Sequence, residues 1–579
     1  MVLENEHLNF LSLRKNLKKD SSAFPIYRIA LLGDSSTQML RDAISGYAYE
    51  VGMNFEIYES DYDQVEHEIY NASSGLYEFN PDFIVLFHSS RKLLANFFAS
   101  VEEHRADFSE HRTNSLRALL DTLNERLNSK IIYCNFVEIT DNVFGNYGNK
   151  VPSSFIFQLR KLNFELMKLG VEYKNLFIND VASLNNRFGS QFSFDPKIYV
   201  NADFVFSLDF TAWVAKNAVD IILPLIGKLK KCLILDLDNT LWGGIIGDDG
   251  MENIQIGNLG IGKAFTELQK WARELKQRGI ILAINSQNTE QIAKEPFEKH
   301  PEMILRLEDI SLFVANWNSK AENIRYIQSV LNIGFDSMVF VDDNPFEREL
   351  VKRELPEVTV PDLPEDPSRY FGFLSELNLF ETGSFSKEDV GRTKQYQEEA
   401  TRTILKKSFA LEEDYLSSLA MCSQVASFNA FNAPRIAQLT QRSNQFNLRT
   451  VRYTEAEIGE SVKSAQFHSL AFDLKDRFGE YGLIAAVFLR EESKGLFIEN
   501  WVMSCRVLKR GMEQFIINEM VRIARNGCME RIVGEYIPTT KNGIVKELYP
   551  SLNFMPENER WVLPTANFTP HKTFIDAKY

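Results

Sequence analysis

The sequence predicts a multidomain α/β protein. Its 579 residues exceed what one hydrophobic core organises, because single cores stop growing at roughly 250–300 residues. Short strand-like apolar runs alternate with longer helix-like stretches through much of the chain, which favours parallel sheets with helical crossovers. The composition, 44% hydrophobic and 25% charged residues, is that of a globular protein. We therefore expect three α/β domains, at residues 1–227, 228–375 and 376–579.

The net charge and the cysteines restrict the partners that the chain can have. A formal charge of −15 disfavours non-specific binding to nucleic acid and to anionic membranes, since both need a basic surface. No stretch approaches the run of about 20 apolar residues that spans a bilayer. The five cysteines are scattered and lack CxxC spacing, which favours reduced thiols over disulfides or zinc ligands. We expect a cytoplasmic protein that binds neither nucleic acid nor membranes.

The first predicted domain has the pattern of a parallel sheet. Its strand-like runs lie at 27–32, 83–87, 130–133 and 176–178. Helix-like stretches, among them 115–127 and 154–169, separate these runs. Strands alternating with helices of this length are typical of doubly wound sheets.

The stretch GDSST, Gly33 to Thr37, follows the first of these strands. It resembles the GDS block of SGNH hydrolases, in which Ser35 would be the nucleophile and the fold would be of the flavodoxin type. Hydrolysis by such a serine also needs a histidine base. No histidine occurs between His111 and His300. We therefore expect a degenerate SGNH-like domain that binds the substrate or a carrier.

In the second predicted domain, three strands end in polar residues. The strands are KCLILD, IILAINS and SMVFVDD, and helices are predicted at 263–278 and 321–331. Ligands of open parallel sheets bind beyond the carboxyl ends of the strands. If the three strands are neighbours, their terminal side chains form one oxygen-rich cluster, which suits Mg²⁺. A lysine before the second helix adds an ammonium group, so the sequence predicts a phosphoryl-transfer site.

The order DxDNT, S, K, DD resembles the motifs of the haloacid dehalogenase superfamily of phosphatases. The resemblance implies that Asp236 is the nucleophile and Asp238 the general acid and base. It also implies that Mg²⁺ is held by Asp236, the main-chain carbonyl of Asp238 and one of the pair Asp342 and Asp343. The implied phosphate-binding residues are Asn239, Thr240, Ser286 and Lys320. The spacers of 33 residues between Ser286 and Lys320 and 21 between Lys320 and Asp342 are too short for a cap domain, so a bulky or macromolecular substrate is expected.

The surrounding sequence narrows the resemblance. DLDNTLWGGIIGDDG, NWNSKAENI, VFVDDNPFERE, QRSNQFNLRTVRYTEAEI and MSCRVLKRGME together resemble the FkbH-like proteins, first characterised in polyketide pathways. Such proteins join a capless phosphatase domain to a domain similar to the GNAT acetyltransferase fold. The resemblance implies a reaction in which a glyceryl group from 1,3-bisphosphoglycerate is dephosphorylated and passed as a thioester to an acyl carrier protein.

Cys505 is the candidate for the thioester. It lies between a strand-like run at 496–503 and a helix-like stretch at 512–525, with Arg506, Lys509 and Arg510 close by. A thiolate near cations and a helix N-terminus is stabilised, and the resemblance implies that it is the acyl-enzyme nucleophile. The alternative is a structural role, because a free cysteine most often behaves as a small buried hydrophobe.

A CoA-dependent N-acetyltransferase that acts on a sugar or amine is the alternative function. Its glycine-rich pyrophosphate turn would end at Gly511, but Lys509 occupies the first glycine position, which weakens this interpretation. Asp476 and His468 are further candidates for orienting the acyl group or acting as base. A third hypothesis makes both outer domains non-catalytic scaffolds. Docking of an acidic carrier would need a local basic surface, for which two arginine-rich stretches are candidates: Arg435, Arg442, Arg449 and Arg452 in one, and Arg506, Lys509 and Arg510 in the other.

Overall fold

The structure, a computed structural model, describes residues 8–139, 141–385, 391–406, 409, 411–464, 466–539 and 541–579. The chain forms two compact units, one up to Leu223 and one comprising Pro224–Tyr579. The first contains one sheet and the second contains two, which confirms the multidomain α/β class. Among the described residues, no helix has the length and apolar character needed to cross a bilayer.

The first unit is built on a five-stranded parallel sheet. Its strands are β1 Ile26–Gly33, β2 Asn54–Glu59, β3 Phe83–Phe87, β4 Lys130–Cys134 and β5 Leu176–Asn179. Their spatial order is β2-β1-β3-β4-β5, and all four pairs are parallel. This is the order of flavodoxin-like doubly wound sheets, whose ligands bind between β1 and β3 where the order reverses. β2 was not predicted, because polar residues interrupt its apolar pattern.

Helices cover this sheet. They are α1 Phe10–Asn16, α2 Gln38–Glu50, α3 Val65–Tyr70, α4 Gly75–Phe79, α5 Ser90–Ala99, α6 Phe108–Arg126, α7 Phe155–Glu172, α8 Val181–Phe188, α9 Ser190–Ser193, α10 Pro196–Ala202 and α11 Leu208–Leu225. The long helices α6 and α7 bury leucines at helical spacing against β3 and β4, which explains why sequence periodicity predicted them.

The second unit begins with a four-stranded parallel sheet. Its strands are β6 Cys232–Leu235, β7 Ile281–Ser286, β8 Leu312–Ala315 and β9 Met338–Val341, in the spatial order β8-β7-β6-β9. β6 is buried throughout and apolar clusters lie on both faces of the sheet, as expected of a parallel sheet. The three predicted strands are therefore neighbours, as the sequence required. β8 was not predicted.

The helices of this part connect and cover its strands. They are α12 Ile246–Asp249, α13 Gly262–Gln277, α14 Glu290–Lys299, α15 Lys320–Leu331, α16 Pro345–Glu354 and α17 Tyr370–Leu377. Between β6 and α13 the chain forms a short flap, whose Gly243 pairs with Gln255. The buried Trp242 of this flap packs against Phe297 of α14.

The C-terminal part is built on an eight-stranded mixed sheet. Its strands are β10 Met421–Ala426, β11 Phe467–Asp476, β12 Gly479–Glu492, β13 Gly495–Met503, β14 Arg531–Gly534, β15 Met555–Glu557, β16 Arg560–Pro564 and β17 Ile575–Lys578. The order is β15-β16-β14-β13-β12-β11-β10-β17. The β12–β13 hairpin turns at Ser493 and Lys494, both with positive φ, which is the backbone twist that two-residue hairpin loops favour.

Helices pack on both faces of this sheet. They are α18 Arg392–Lys406, α19 Glu412–Ser418, α20 Ala433–Arg442, α21 Glu455–Lys463, α22 Met512–Asn526 and α23 Leu548–Ser551. α22 belongs to the larger apolar cluster, while α20 and α21 contribute to the smaller one. The sequence predicted α18 over 387–408, of which 387–390, 407 and 408 lie outside the described residues.

Candidate functional site

Three carboxylates meet at the carboxyl edge of the four-stranded sheet. Asp236 follows β6, while Asp342 and Asp343 follow β9, the strand paired with it. One oxygen from each of the three side chains can be chosen so that all lie within 4.8 Å of one another. Adjacent parallel strands ending at the same edge bring these distant positions together, as the sequence predicted.

Lys320 inserts its ammonium among these carboxylates. Its Nζ lies 2.5 Å from Asp236 Oδ1 and 3.0 Å from Asp342 Oδ2, and it donates a 2.8 Å hydrogen bond to the carbonyl of Asn285. Burial alone would lower the pKa of Lys320, but Asp236 and Asp342 raise it above its usual value. The lysine is therefore held as a cation.

One ammonium does not balance three carboxylates. Burial, and then the charge of Asp236, raises the pKa of Asp342 to about 7, although Lys320 opposes the shift. The pKa of Asp343 is also raised, mainly by burial and secondly by the charge of Asp236. A compact, electron-rich set of carboxylate oxygens is the donor chemistry that Mg²⁺ prefers. The residues present therefore fit a divalent cation.

The carboxylate of Asp238 points away from this cluster. Its Oδ1 accepts hydrogen bonds from Trp242 Nε1 at 3.0 Å and from the Ile246 amide at 2.9 Å, and its Oδ2 accepts one from Asn288 Nδ2 at 3.1 Å. Burial raises its pKa. A positioned carboxyl group of raised pKa suits proton transfer. As a metal ligand, Asp238 remains a candidate only through its main-chain carbonyl.

The predicted phosphate-binding residues divide into two kinds. Ser286 ends β7 and is buried beside the cluster, and Lys320 lies within it. Asn239 instead adopts a left-handed backbone with φ of 53°, and its Oδ1 accepts a 2.9 Å hydrogen bond from the Gly244 amide. Thr240 Oγ1 accepts a 3.2 Å hydrogen bond from the Asp343 amide. The side chains of Asn239 and Thr240 thus shape the two loops, and their contact with phosphate stays a prediction.

Supporting residues that were not predicted from the sequence surround this centre. Arg348 Nη1 donates to the carbonyls of Asp342 and Asp343, at 2.9 and 2.6 Å. The Asn285 amide donates to the Lys320 carbonyl at 3.0 Å, and Asn323 donates to Asn285 Oδ1 at 3.1 Å. The positions one residue before Ser286 and three after Lys320 carry amide side chains, which was the available signal. These bonds fix the loop and the lysine that face the carboxylates.

Cys505 opens into a second site, a cavity of about 410 Å³. The four-stranded-sheet part contributes Lys231, Gln328, residues 333–337 and Glu357. The C-terminal part contributes Arg392, Tyr396, Arg435, Leu439, residues 442–446, residues 503–506 and Lys541. We call this space the thiol cavity. The partly exposed Cys505 is held by a hydrogen bond from Asn332 Nδ2 to its carbonyl.

The thiol cavity lies at the opposite edge of the sheet from the carboxylates. Lys231 precedes β6 and Ser337 precedes β9, whereas Asp236 and Asp342 follow these strands. Four-residue strands at about 3.3 Å per residue separate the two edges by about 13 Å. The two candidate sites therefore occupy opposite ends of the same strands.

Several predicted acyltransferase residues belong to a buried ion network instead. Arg402 donates to both carboxylate oxygens of Asp476 at 2.8 Å, and Tyr481 donates to Oδ2 at 3.0 Å. Arg510 Nη2 donates to both carboxylate oxygens of Glu399, at 2.7 and 2.8 Å. Burial would raise the pKa of Asp476, but the arginine and the hydrogen bonds lower it. Asp476 is thus a structural ion-pair partner, which corrects its proposed role as a base.

The other C-terminal candidates are placed differently. His468 hydrogen-bonds Glu491 at 2.7 Å. In the sheet, His468 of β11 is paired with Leu489 of β12. Met503, at the end of β13, is paired with Ala485, which lies four residues from Leu489 along β12. His468 is therefore about 13 Å along the sheet from the strand end that leads to Cys505, which corrects its place in that site. Arg506 lines the thiol cavity and donates to Gln395 and to the Tyr481 carbonyl. Gly511, with φ of 76°, caps α22.

The first arginine-rich stretch makes contacts within the C-terminal part. Arg435 and Arg442 line the thiol cavity. Arg449 pairs with Glu535 at 2.7 Å, and Arg452 donates to the carbonyls of Thr440 and Ser443. Docking of a carrier on these arginines stays a prediction.

In the first unit, Ser35 lies buried just after β1. His88, which the sequence analysis did not consider, is buried just after the neighbouring β3, and its Nδ1 lies 2.9 Å from Tyr133 Oη. Burial lowers the pKa of His88 to about 3, and burial raises that of Asp34 to about 7. Polar groups thus gather where ligands bind in this fold, but a hydrolytic Ser–His pair is not among the hydrogen bonds of the described residues.

Comparison with known proteins identifies the chain's relatives. The family model described as "FkbH, N-terminal domain" matches residues 28–223. A crystal structure of the N-terminal part of BF1531 from Bacteroides fragilis, containing a phosphatase domain and complexed with Mg, is 49% identical, with a TM-score of 0.63. The alignment covers 65% of this chain and 100% of that one. This chain belongs to the BF1531 family. No curated protein matches it significantly.

Two acetyltransferase structures resemble this chain only weakly. The ribosomal-protein-S18-alanine N-acetyltransferase of Escherichia coli is 13% identical, covering 25% of this chain and 99% of that one, with a TM-score of 0.20. Spermidine N-acetyltransferase of Vibrio cholerae, in complex with CoA and spermine, is 14% identical, covering 25% and 96%, also with a TM-score of 0.20. TM-scores this low do not support assigning a fold, so the GNAT-like and SGNH-like assignments stay predictions.

Proposed function

We propose that this member of the BF1531 family is a Mg²⁺-dependent phosphatase of the haloacid dehalogenase type, coupled to acyl transfer through Cys505. The observation that carries the phosphatase is the meeting of Asp236, Asp342 and Asp343 around Lys320 at the ends of adjacent strands. The Mg²⁺ in the BF1531 structure supports the same cation here. Asp236, Asp342, Asp343 and the carbonyl of Asp238 would hold it.

Each residue of this centre has a role in phosphoryl transfer. An oxygen of Asp236 attacks phosphorus, and the bond to the leaving oxygen breaks as Asp238 donates a proton to it. Asp238 then removes a proton from the water that hydrolyses the aspartyl phosphate. Lys320 lies beside Asp236 and, with Ser286, faces the phosphoryl oxygens. Bound Mg²⁺ would neutralise charge on those oxygens.

The second half-reaction uses the thiol cavity. The Cys505 thiolate attacks the carbonyl carbon of an acyl phosphate such as 1,3-bisphosphoglycerate, a C–S bond forms, and the C–O bond to phosphate breaks. The thiol of an acyl carrier protein then takes the acyl group in a nearly balanced exchange. A thiol that is partly exposed within a cavity of about 410 Å³ supports this role. The first unit, in this proposal, binds the carrier or the substrate.

Intact-protein mass spectrometry tests this proposal. Wild type incubated with 1,3-bisphosphoglycerate and Mg²⁺ should gain an acyl mass that Cys505→Ala does not gain. Cys528→Ala is the matched control, because Cys528 is exposed and outside the cavity, and it should load like wild type. An unmodified wild-type protein, or equal loading of Cys505→Ala, would contradict the acyl-transfer half.

A further inference from the structure

The thiol cavity concentrates positive charge in an acidic protein. Six cationic side chains line it, against two acidic ones, Asp336 and Glu357. The cations are Lys231, Arg392, Arg435, Arg442, Arg506 and Lys541. The chain as a whole carries a formal charge of −15, so composition does not account for this excess. Both parts of the second unit contribute, with Lys231 coming from the sheet that carries the carboxylate centre.

We infer that the thiol cavity is a phosphate-binding site, in which Lys231, Arg442 and Lys541 hold the phosphate group of a ligand beside Cys505. The inference deepens the proposed function and rests on it for the identity of the ligand. The site is composite, because Lys231 belongs to the four-stranded-sheet part while Arg442 and Lys541 belong to the C-terminal part. It is also distinct from the phosphate site of the carboxylate centre, which lies at the other edge of the sheet.

The arrangement of the lysines supports an anionic ligand. Lys231 precedes β6, and its Nζ is directed to the carbonyl of Arg442 by a hydrogen bond. Burial lowers the pKa of Lys231 to about 8; Cys505 and Asp336 oppose this shift, and Arg392 and Arg442 add to it. Lys231, Arg442 and Lys541 are partly buried, and like charges gathered in a cavity are unfavourable without compensation. A phosphate dianion among them would add to the compensation that Asp336 already gives Lys541.

A phosphate group bound in the thiol cavity would be the leaving group of the reaction proposed at Cys505. When the thiolate attacks an acyl phosphate, the C–O bond breaks and the departing phosphate takes the electron pair. Cations placed around that phosphate stabilise the charge that develops on it. The phosphodiester of a carrier's pantetheine arm presents the same chemistry, and the experiment below separates the two sources.

The rate of alkylation of Cys505 reports the electrostatic potential in the thiol cavity, and this measurement does not require acyl transfer. Iodoacetate, an anion, and iodoacetamide, its neutral analogue, are compared by peptide mass spectrometry on the full chain. Exposed Cys528 is the internal reference for their intrinsic difference in reactivity. We expect the iodoacetate-to-iodoacetamide rate ratio at Cys505 to exceed that at Cys528 at least about threefold, because cations raise the local anion concentration. Inorganic phosphate should slow alkylation at Cys505 and leave Cys528 unchanged.

Variants assign the effect to the cavity. Lys541→Gln removes a half-exposed cation paired with Asp336, and Lys231→Gln removes the cation from the other part; either should bring the ratio toward that of Cys528. Two variants are used so that misfolding of one leaves a test. Lys494→Gln is the control, since this exposed lysine pairs with Glu530 outside the cavity, and it should keep the wild-type ratio. Equal ratios at Cys505 and Cys528, with no protection by phosphate, would overturn the inference.

Two further arms separate the possible outcomes. Protection by inorganic phosphate alone assigns the site to the acyl donor, whereas protection that requires pantetheine 4′-phosphate and is absent with pantetheine assigns it to the carrier arm; both support a phosphate site. Phosphate protection without an acyl adduct would refute acyl transfer and leave the phosphate site standing. An acyl adduct on Cys505 without charge selectivity or protection would refute the phosphate site alone.

Discussion

The two edges of the four-stranded sheet carry chemically opposite sites. At the carboxyl edge, the three carboxylates lie close to the single ammonium group of Lys320, and this excess of negative charge favours a bound cation. At the amino edge, six cationic and two acidic side chains line the cavity of Cys505, and this excess of positive charge favours a bound anion. Parallel strands make this polarity available, because each edge collects the loops of one end of every strand.

The separation of the two sites constrains their coupling. A three-carbon acyl group on Cys505 is shorter than the roughly 13 Å that separates the two edges. Its phosphate ester would not reach Asp236 while the thioester stays on Cys505 in this arrangement. Dephosphorylation therefore belongs before loading, or after transfer to a carrier whose flexible arm visits the carboxyl edge. Chemical independence of the two sites is the testable consequence.

Asp236→Asn gives the largest expected effect. Removing the nucleophile should reduce phosphatase turnover at least about 10³-fold, measured as phosphate release from a small phosphate ester. Acyl loading of Cys505 should stay within about twofold of wild type, because the thiol cavity is at the other edge. The control is Asp248→Asn, in the exposed flap. If Asp236→Asn also abolishes loading, the two sites act as one and the comparison fails.

Asp476→Asn tests whether the cavity side depends on the buried ion network. Removing Asp476 leaves Arg402 only its longer contacts with Glu398 and Glu399, at 3.5 and 3.6 Å. We therefore expect about 3 kcal/mol lower free energy of unfolding, the lower end of what a broken buried pair costs, measured by urea denaturation. Because the folded-state pKa of Asp476 is lowered, its stabilisation is present at neutral pH and lost as pH falls through the folded value. Glu480→Gln, at an exposed pair with Lys475, should cost little. A variant of wild-type stability but without acyl loading would restore a catalytic role for Asp476.

Magnesium should stabilise wild type and not Asp342→Asn. A ligand at 100 times its Kd adds about 2.7 kcal/mol to the free energy of unfolding, visible as a rise in Tm. Asp342→Asn removes one of the three carboxylates and should lose most of that rise, whereas Cys505→Ala should keep it. An unchanged magnesium response in Asp342→Asn would place the cation elsewhere.

The carboxylate centre was predictable because its information is local. Asp236 and Asp342 directly follow apolar runs and Ser286 follows one after Asn285, so strand ends and short motifs sufficed to place them together. The missed strands β2 and β8 and the loop-shaping roles of Asn239 and Thr240 depend on hydrogen bonds between segments, which periodicity does not encode. Raised pKa values at Asp238 and Asp342 depend on burial, which only the packed structure gives.

The thiol cavity was not predictable as a site. Its cations come from positions as far apart as Lys231, Arg392 and Lys541, and none of them belongs to a periodic pattern. Of the cations near Cys505 in sequence, Arg506 lines the cavity, whereas Arg510 turns to Glu399 in the interior. Only the packing of the C-terminal part on the four-stranded-sheet part brings Lys231 to the same cavity as Cys505.

Gly511→Ala gives the smallest effect and sharpens the comparison at the cavity end. Gly511 has φ of 76°, and a Cβ there would meet only Gln514 Oε1, at 4.0 Å, so the cost is conformational, about 1 kcal/mol. Gly527→Ala is the control, because Gly527, at the other end of α22, has φ of −87° and its new Cβ would make contacts of 3.6 Å or longer. Acyl loading should survive Gly511→Ala, since thioester chemistry at Cys505 needs no pyrophosphate turn. If wild type instead binds acetyl-CoA in calorimetry and Gly511→Ala does not, the C-terminal part is a CoA site and the thioester proposal gives way to N-acetyl transfer.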